Sequence, residues 1–430
     1  MIYLKNYTYL IWGLNAVLAV CIISKCLSAK DVSADEHVSL KIDTIAYTPS
    51  INKISKKTAP NEIADNLNRL NPFFDKLTGL KTQDTGTNTV SIVHLGDSHI
   101  QADFLTQTVR RLMHRHFGNP GRGLVAPNRL MRSNNGRNYR INSEDKWKHS
   151  FVVKPNGIPI GIAGLGLQIA DTAASVNLLT FDESESGEWD FNRITTYCDL
   201  ANADINIEKA NVVQSTEQSV YAKTFTLDSL TNDIDIQFYS SPDKREINLF
   251  GFNLSNSQSG IFYHSIGVNG AKYCDFCNKD VFFHQLPTLS PELVIISFGT
   301  NEAMAKVVDE TSLYSNISSL VADINSRLPN AVIMLTTPAE TYTRNRAAPN
   351  PRTGKVRDII VDYAETNGLP YWDLYAITGG KGSAVNWNKK RMMTRDRIHL
   401  TQYGYEYQGT LLFEAIAKSY NKYLKQKYGI

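Results

Sequence analysis

Two short segments at opposite ends of the chain carry the residue types of nucleophilic catalysis. Gly96-Asp97-Ser98-His99 follows a β-rich run, and Asp396-Arg397-Ile398-His399 stands just ahead of the last long helical pattern. A serine hydroxyl is a poor nucleophile until a base takes its proton. Imidazole titrates near neutrality, which suits His399 to that task. Asp396 precedes it by three residues, a spacing at which a turn can bring the carboxylate to the Nδ1 side of the ring. There it would fix the tautomer and stabilise the imidazolium. The chemistry such a set supports is cleavage of an ester through Ser98.

Those groups need elements that hold them. Thr89 to Leu95 predicts a short strand. Ala102 to Phe117 has apolar residues at helical spacing, with Gly118 as its stop. A strand, a tight loop and a helix place functional groups at the C-terminal end of a parallel strand. The rhythm resumes late in the chain. Leu293 to Phe298 and Ala331 to Thr337 read as strands buried on both faces, and Leu369 to Leu374 as a shorter one. Thr311 to Leu328, Lys355 to Asn367 and Tyr405 to Tyr423 read as helices, and so does Asn61 to Leu80. Strands alternating with helices predict an α/β fold with a parallel sheet covered on both sides.

The middle of the chain differs. Val220 to Leu227, Ile234 to Tyr239 and Ile247 to Leu254 alternate as antiparallel strands do, with turn residues at Asn232-Asp233 and Ser241-Pro242-Asp243. Residues 131–260 are therefore expected to form an inserted β-sandwich. The full division expected is a signal peptide or membrane anchor over 1–29, a linker over 30–60, a catalytic domain over 61–130 and 261–430, and the sandwich between its two parts.

Four separated blocks resemble the signature of the SGNH (GDSL-like) hydrolases. They are Gly96-Asp97-Ser98-His99, Gly267-Val268-Asn269-Gly270, Gly299-Thr300-Asn301-Glu302 and Asp396-Arg397-Ile398-His399, in family order. The resemblance implies a three-layer, flavodoxin-like α/β fold. It also implies Ser98 as nucleophile with Asp396 and His399 as its partners. An oxyanion hole would come from the backbone N–H groups of Ser98 and Gly270 and from the Asn301 amide. Losing one such donor typically costs ~10²–10³ in rate. His99 replaces the leucine of the usual Gly-Asp-Ser-Leu block and is expected to support the site.

Ser98 and Gly270 lie 172 positions apart, room enough for the sandwich. In this the chain is similar to bacterial peptidoglycan O-acetylesterases, which carry a β-domain between the first two blocks. The run from Phe117 to Gly123 and the tract from Trp372 to Trp387 also look like that group. The catalytic resemblance covers about Val90 to Ala126 and Phe262 to Tyr423. It implies a secreted serine esterase that removes O-acetyl groups from a cell-envelope or extracellular polysaccharide, with peptidoglycan foremost. Two alternatives stand beside it: a polysaccharide O-acetyltransferase, and a non-catalytic glycan-binding protein on the same scaffold. The triad supports ester cleavage, whereas the polysaccharide rests on fold analogy.

Composition agrees with an ordinary globular protein, 42% hydrophobic and 20% charged. The net charge is +3, and the first 29 residues hold two lysines and no acid, so their removal leaves +1. A nearly neutral chain gives no electrostatic case for a nucleic-acid partner. Lys5 followed by the uncharged run from Tyr7 to Ser24, then Ser28-Ala29, suits a secretory signal. The same run is long enough to be an uncleaved membrane anchor. A secreted or periplasmic location is therefore expected. No cofactor and no metal are expected. Cys274 and Cys277 have CxxC spacing without a second pair to complete a zinc site. Trp387 reads first as a buried support of its loop, with stacking on a sugar ring as the alternative.

Overall fold

The computed structural model describes residues 43–47, 59–82, 88–182, 187–240, 243 and 246–430. The expected targeting segment and most of the expected linker lie outside the described residues. Strand β1 is Thr89–Gly96. The antiparallel strands follow as β2 (Gly123–Val125), β3 (Tyr139–Asn142), β4 (Lys148–Phe151), β5 (Leu165–Ile169), β6 (Ala173–Thr180) and β7 (Phe191–Cys198). They continue as β8 (Ala203–Glu208), β9 (Val212–Ser219), β10 (Ala222–Thr231), β11 (Asp233–Ser240) and β12 (Ile247–Ser255). The chain then returns through β13 (Gly260–Gly267), β14 (Leu293–Ser297), β15 (Val332–Thr336) and β16 (Tyr371–Trp372).

The parallel sheet has the order β13-β1-β14-β15-β16. Its strands alternate between two apolar layers, as a period of two requires. Val90, Ile92, Ile261 and Ile295 point into one layer, with the long helix Phe104–Phe117 and the closing helix Gln402–Tyr428. Val93, Leu95, Val294 and Ile296 point into the other, with helices Glu310–Arg327 and Arg352–Thr366. Both faces are covered, and β14 and β15 accordingly read as continuous apolar runs.

The antiparallel strands make two sheets, β4-β5-β12-β7-β10-β9 with β2 also on β12, and β3-β6-β11-β8. Their facing sides share one core, in which Leu167, Ile194, Phe225 and Phe252 meet Ile141, Val176, Ile236 and Phe238. This sandwich draws in Gly123–Val125, which lies before the expected start at residue 131. Its larger sheet also packs on the catalytic side. Tyr197, Ala222 and Phe250 sit in the same apolar layer as Phe276, Phe282 and Leu286. Gln285 Oε1 accepts the Ile162 N–H at 2.7 Å, and Tyr197 Oη lies 2.9 Å from Thr288 Oγ1. Residues 42–430 form one compact unit.

One expected helix is shorter than its pattern. Residues 61–70 are not helical, and the helix runs Asn71–Thr82. Pro72 explains the difference. It has no N–H to give to a preceding turn, and it is tolerated in a first turn but not an interior one. The Asp65 carboxylate instead accepts the Arg69 and Leu70 N–H groups.

The long helix after Ser98 starts later than Ala102. A four-residue helix, Ser98–Gln101, comes first, and Asp103 then turns the chain at φ 55°. Asp103 is buried and gathers five donors. Its Oδ1 accepts from Thr106, Arg110 and Ser265, and its Oδ2 from Arg122 and the Arg137 N–H. Burial alone would raise its pKa, but Arg122 and Arg110 outweigh that and hold the carboxyl below its ordinary range. Arg110 is 0% and Arg122 1% exposed, so removing the shared carboxylate strands two buried cations. Asp103→Asn keeps the shape and tolerates the left-handed turn. It should cost about 3–5 kcal/mol in urea unfolding, the scale for breaking a buried ion pair. Because the folded pKa is depressed, the wild-type advantage is full above the unfolded value of about 3.9 and shrinks as pH falls below it.

Candidate active site

Strand β1 delivers Ser98 from its C-terminal end. Gly96 is required there by close packing: a Cβ would lie 2.4 Å from the Ile100 side chain and 2.7 Å from the Ser297 carbonyl oxygen. Asp97 caps the short helix by accepting the His99 N–H at 2.9 Å. Burial pushes its carboxyl up to about 7, that N–H pulls it down, and nearby Glu302 adds to the rise.

Ser98 Oγ lies 2.9 Å from His399 Nε2, and His399 Nδ1 lies 2.7 Å from Asp396 Oδ2. The three residues that sequence spacing relates are thus joined in one chain of contacts. The other carboxylate oxygen, Asp396 Oδ1, accepts from the Ile398 N–H, the His399 N–H and Thr394 Oγ1. Arg397 stands between the pair at φ 58°, which tightens the turn so that Asp396 reaches the ring. Burial works against the Asp396 charge, but the bond to His399 and the two backbone N–H groups hold its pKa well below the carboxylate range.

Gly270 and Asn301 line the same hollow as Ser98 and His399, a space of about 630 Å³. Gly270 has φ 83° and open space where a Cβ would go, so its conformation, not crowding, calls for glycine. Asn301 Nδ2 donates to the Ala271 carbonyl at 3.0 Å and lies 3.4 Å from Asp97 Oδ2. One of its two hydrogens is therefore firmly used and the other loosely held.

His99 sits behind His399. Their ring centroids are 5.4 Å apart, and Tyr405 Oη lies 3.1 Å from His99 Nδ1. Burial, and then the neighbouring His399, push its pKa down to about 3, so it packs as a neutral ring. Below the site, His94 joins Tyr263 and Ser297 at 2.7 and 2.6 Å. Trp387 is 3% exposed and packs against Tyr407, so it supports its loop and offers no face to a sugar. Cys274 and Cys277 are free thiols. Among the described residues no group of three His, Cys, Asp or Glu is arranged to hold a metal.

Sequence reasoning missed Gln101, whose partners lie 32 to 168 positions away. Its Oε1 accepts the Asn269 N–H at 2.6 Å, and its Nε2 donates to Ser133 Oγ and the Asn134 carbonyl. One buried amide thus ties the Gly270 loop to the end of the Ser98 helix. Gln101→Leu keeps the bulk and loses the tie. It should lower kcat on a small aryl acetate by up to about 10², the scale of a 1 Å misplacement. Gln101→Glu, which keeps the acceptor for Asn269, should recover part of that loss. Equal kcat in the leucine variant would show that the loop holds its shape unaided. Arg344 and Arg346 also line the hollow and carry no sequence motif that foretold it.

Residues 228–407 match the model of the GDSL-like Lipase/Acylhydrolase family. Over that stretch, less than half of the chain, the sequence is similar to the GDSL-like acylhydrolases, a class of carboxylic ester hydrolases. Gly270, Asn301, Asp396 and His399 lie inside the matched stretch, and Ser98 precedes it. No curated protein matches the chain. Among solved structures, a peptidoglycan O-acetylesterase is 19% identical with a TM-score of 0.67, over 84% of this chain and 99% of its own. A lipase/acylhydrolase from Enterococcus faecalis is 22% identical with a TM-score of 0.29, over 37% of this chain and 77% of its own. An acetylxylan esterase from Geobacillus stearothermophilus is 19% identical with a TM-score of 0.28, over 37% and 73%.

Proposed function

We propose that this chain is a secreted esterase that removes O-acetyl groups from a cell-envelope polysaccharide, peptidoglycan foremost, through Ser98, His399 and Asp396. The observation that carries the reading is the unbroken contact chain from Ser98 Oγ through the His399 ring to Asp396, opening on a hollow large enough for a sugar. The choice of polymer is supported by the fold shared with a peptidoglycan O-acetylesterase across nearly all of that protein.

In this reading Ser98 Oγ attacks the acetyl carbonyl as its proton passes to His399 Nε2. The negative oxygen meets the N–H groups of Ser98 and Gly270 and the loosely held Asn301 hydrogen. The C–O bond to the sugar then breaks, and His399 gives its proton to the departing hydroxyl. Water attacks the acetyl-Ser98 ester with His399 again as base, the C–O bond to Ser98 breaks as His399 returns that proton to Ser98 Oγ, and acetate leaves. Asp396 keeps the ring in the tautomer that accepts from Ser98 at the start of each half.

Acetate release from O-acetylated peptidoglycan and from acetylated xylan, with Ser98→Ala beside wild type, tests this. Release from peptidoglycan that needs Ser98 is expected. Release from xylan alone would move the substrate, and equal release by Ser98→Ala would overturn the mechanism.

A further inference from the structure

His99 follows the nucleophile, and Tyr405 comes a short way after His399, 306 positions from His99. Folding brings the two side chains together. Tyr405 Oη lies 3.1 Å from His99 Nδ1, and the rings meet edge to face at 5.7 Å. Tyr405 is buried, and its ring stacks on Phe104 at 6.3 Å. The phenol also reaches the backbone beside His399. There the chain forms a short antiparallel pairing: the His399 carbonyl accepts the Thr394 N–H, and the Thr401 N–H donates to the Met392 carbonyl, both at 2.9 Å. The Leu400 N–H between them points the other way, as alternation along an extended segment requires. It donates to Tyr405 Oη. Burial pushes the phenol above its ordinary pKa and outweighs the pull of that N–H, so Tyr405 keeps its proton.

That contact sets the direction of the next one. With the Leu400 N–H on its oxygen, the Tyr405 hydroxyl needs an acceptor for its own hydrogen, and His99 Nδ1 supplies it. Burial, and then the neighbouring His399, keep the His99 ring neutral. A neutral ring that accepts at Nδ1 carries its proton on Nε2. Among the described residues no group bonds to Nε2, so the Nδ1 contact alone fixes the tautomer. His99 also lines a small cavity of about 40 Å³ with Glu340, Thr341 and Gln408, polar surroundings that suit an N–H. The residue after the nucleophile and the residue after the base are thus joined, Leu400 N–H to Tyr405 Oη and Tyr405 O–H to His99 Nδ1.

We infer that His99 and Tyr405 are positioning residues for the ester cleavage: their hydrogen bond ties the turn that carries Ser98 to the turn that carries His399, and so sets the 2.9 Å approach of Ser98 Oγ to His399 Nε2. This rests on the Ser98, His399 and Asp396 reading above and adds to it a second tie that does not pass through Asp396. The His99 ring stands 5.4 Å from the His399 ring. Being uncharged, it does not oppose the imidazolium that forms when Ser98 gives up its proton.

Three variants separate the hydrogen bond from the packing. Tyr405→Phe keeps the buried ring and loses the hydroxyl. His99→Phe keeps a ring and loses the acceptor. His99→Asn loses the ring and keeps an acceptor near the place of Nδ1. Tyr405→Phe and His99→Phe should each lower kcat on 4-nitrophenyl acetate by about tenfold, short of the ~10² of a 1 Å misplacement, with KM little changed. The two together should cost no more than either alone, the mark of one shared interaction. His99→Asn should recover part of the loss. Wild-type kcat in Tyr405→Phe, losses that multiply in the double variant, or a change in KM with kcat kept would overturn the positioning role. Nitrogen NMR of histidine-labelled protein reads the tie without the reaction. His99 should stay neutral with its proton on Nε2 down to about pH 5, where a free imidazole is charged, and Tyr405→Phe should abolish that preference for one tautomer. A proton on Nδ1 in wild type, or a tautomer indifferent to Tyr405→Phe, would reject the tie even if His99→Phe fails to fold. Ser98→Ala separates the two readings. Full activity there brings down the triad, whereas loss of activity there beside wild-type kcat in Tyr405→Phe brings down the positioning role alone.

Discussion

Ser98→Ala should reduce kcat on aryl acetates by about 10⁴–10⁶, the range seen when a nucleophile that works as a unit with its base is removed. The geometry supports so large a loss because Ser98 Oγ is the hydroxyl held against the ring nitrogen that would take its proton. The group 2.9 Å from His399 Nε2 is Ser98 Oγ, and the Tyr405 hydroxyl lies 3.1 Å from His99 Nδ1. The fold should be untouched, since among the described residues Ser98 Oγ bonds to His399 alone. The measurement pairs steady-state kinetics with an aryl phosphonate. In wild type the phosphonyl mass should appear on the peptide containing Ser98, and in the alanine variant nowhere. Full activity in the variant, or label on another residue, would overturn the assignment of the nucleophile.

Asp396→Asn should cost on the order of 10⁴ in kcat with little change in melting temperature, as expected when a triad histidine is held in the wrong tautomer. The reason lies in the two oxygens. Oδ1 receives the Ile398 and His399 N–H groups and Thr394 Oγ1, so in the asparagine variant the carbonyl oxygen stays on that side. The amide nitrogen must then face His399 Nδ1. An N–H pointing at Nδ1 makes that nitrogen the acceptor and moves the ring proton to Nε2, where it confronts Ser98 and cannot accept from it. Both carboxylate and ring are about 40% exposed on their side chains, so the effect is one of proton placement and not of a buried charge. A drop of tenfold or less would mean that His399 finds its tautomer without Asp396. A drop accompanied by a lower melting temperature would mean that the turn itself has failed.

The parts of this molecule legible in the sequence are those governed by local pattern. β14 and β15 are buried on both faces, and apolar runs announce them within a residue or two, while β1 shows as a β-rich run despite Ser91 and His94. The Asp396–His399 turn is legible because its partners are three residues apart. β13 escaped notice because His264 and Ser265 interrupt its apolar run. Both bond to distant groups: His264 Nδ1 accepts the Leu124 N–H, and Ser265 Oγ donates to Asp103. The same distance hid Asp103 and Gln101, whose side chains read as ordinary polar residues of a helix start. Asn71–Thr82 shows the opposite error, a helical spacing carried through residues that Pro72 prevents from joining the helix. Pattern finds what neighbours in sequence decide; the ties between the Ser98 turn, the Gly270 loop and the 133–138 segment belong to residues that meet only on folding.

The joint between sandwich and parallel sheet has a thermodynamic consequence. β12 ends at Ser255 and β13 begins at Gly260, so only four residues separate a sandwich strand from one paired along its whole length with β1. β13 then runs straight into the Gly270 loop. Loosening of the sandwich would therefore uncover Phe250 and Tyr197 and at the same time slacken the strand that leads into the Gly270 loop, the proposed oxyanion donor. Such parts cannot open independently; they share one cooperative unit in the sense used for native-state hydrogen exchange. Amides of β12 and β13 should then exchange at a common rate, and heat should extinguish esterase turnover and sandwich structure in a single transition rather than leave an active core behind.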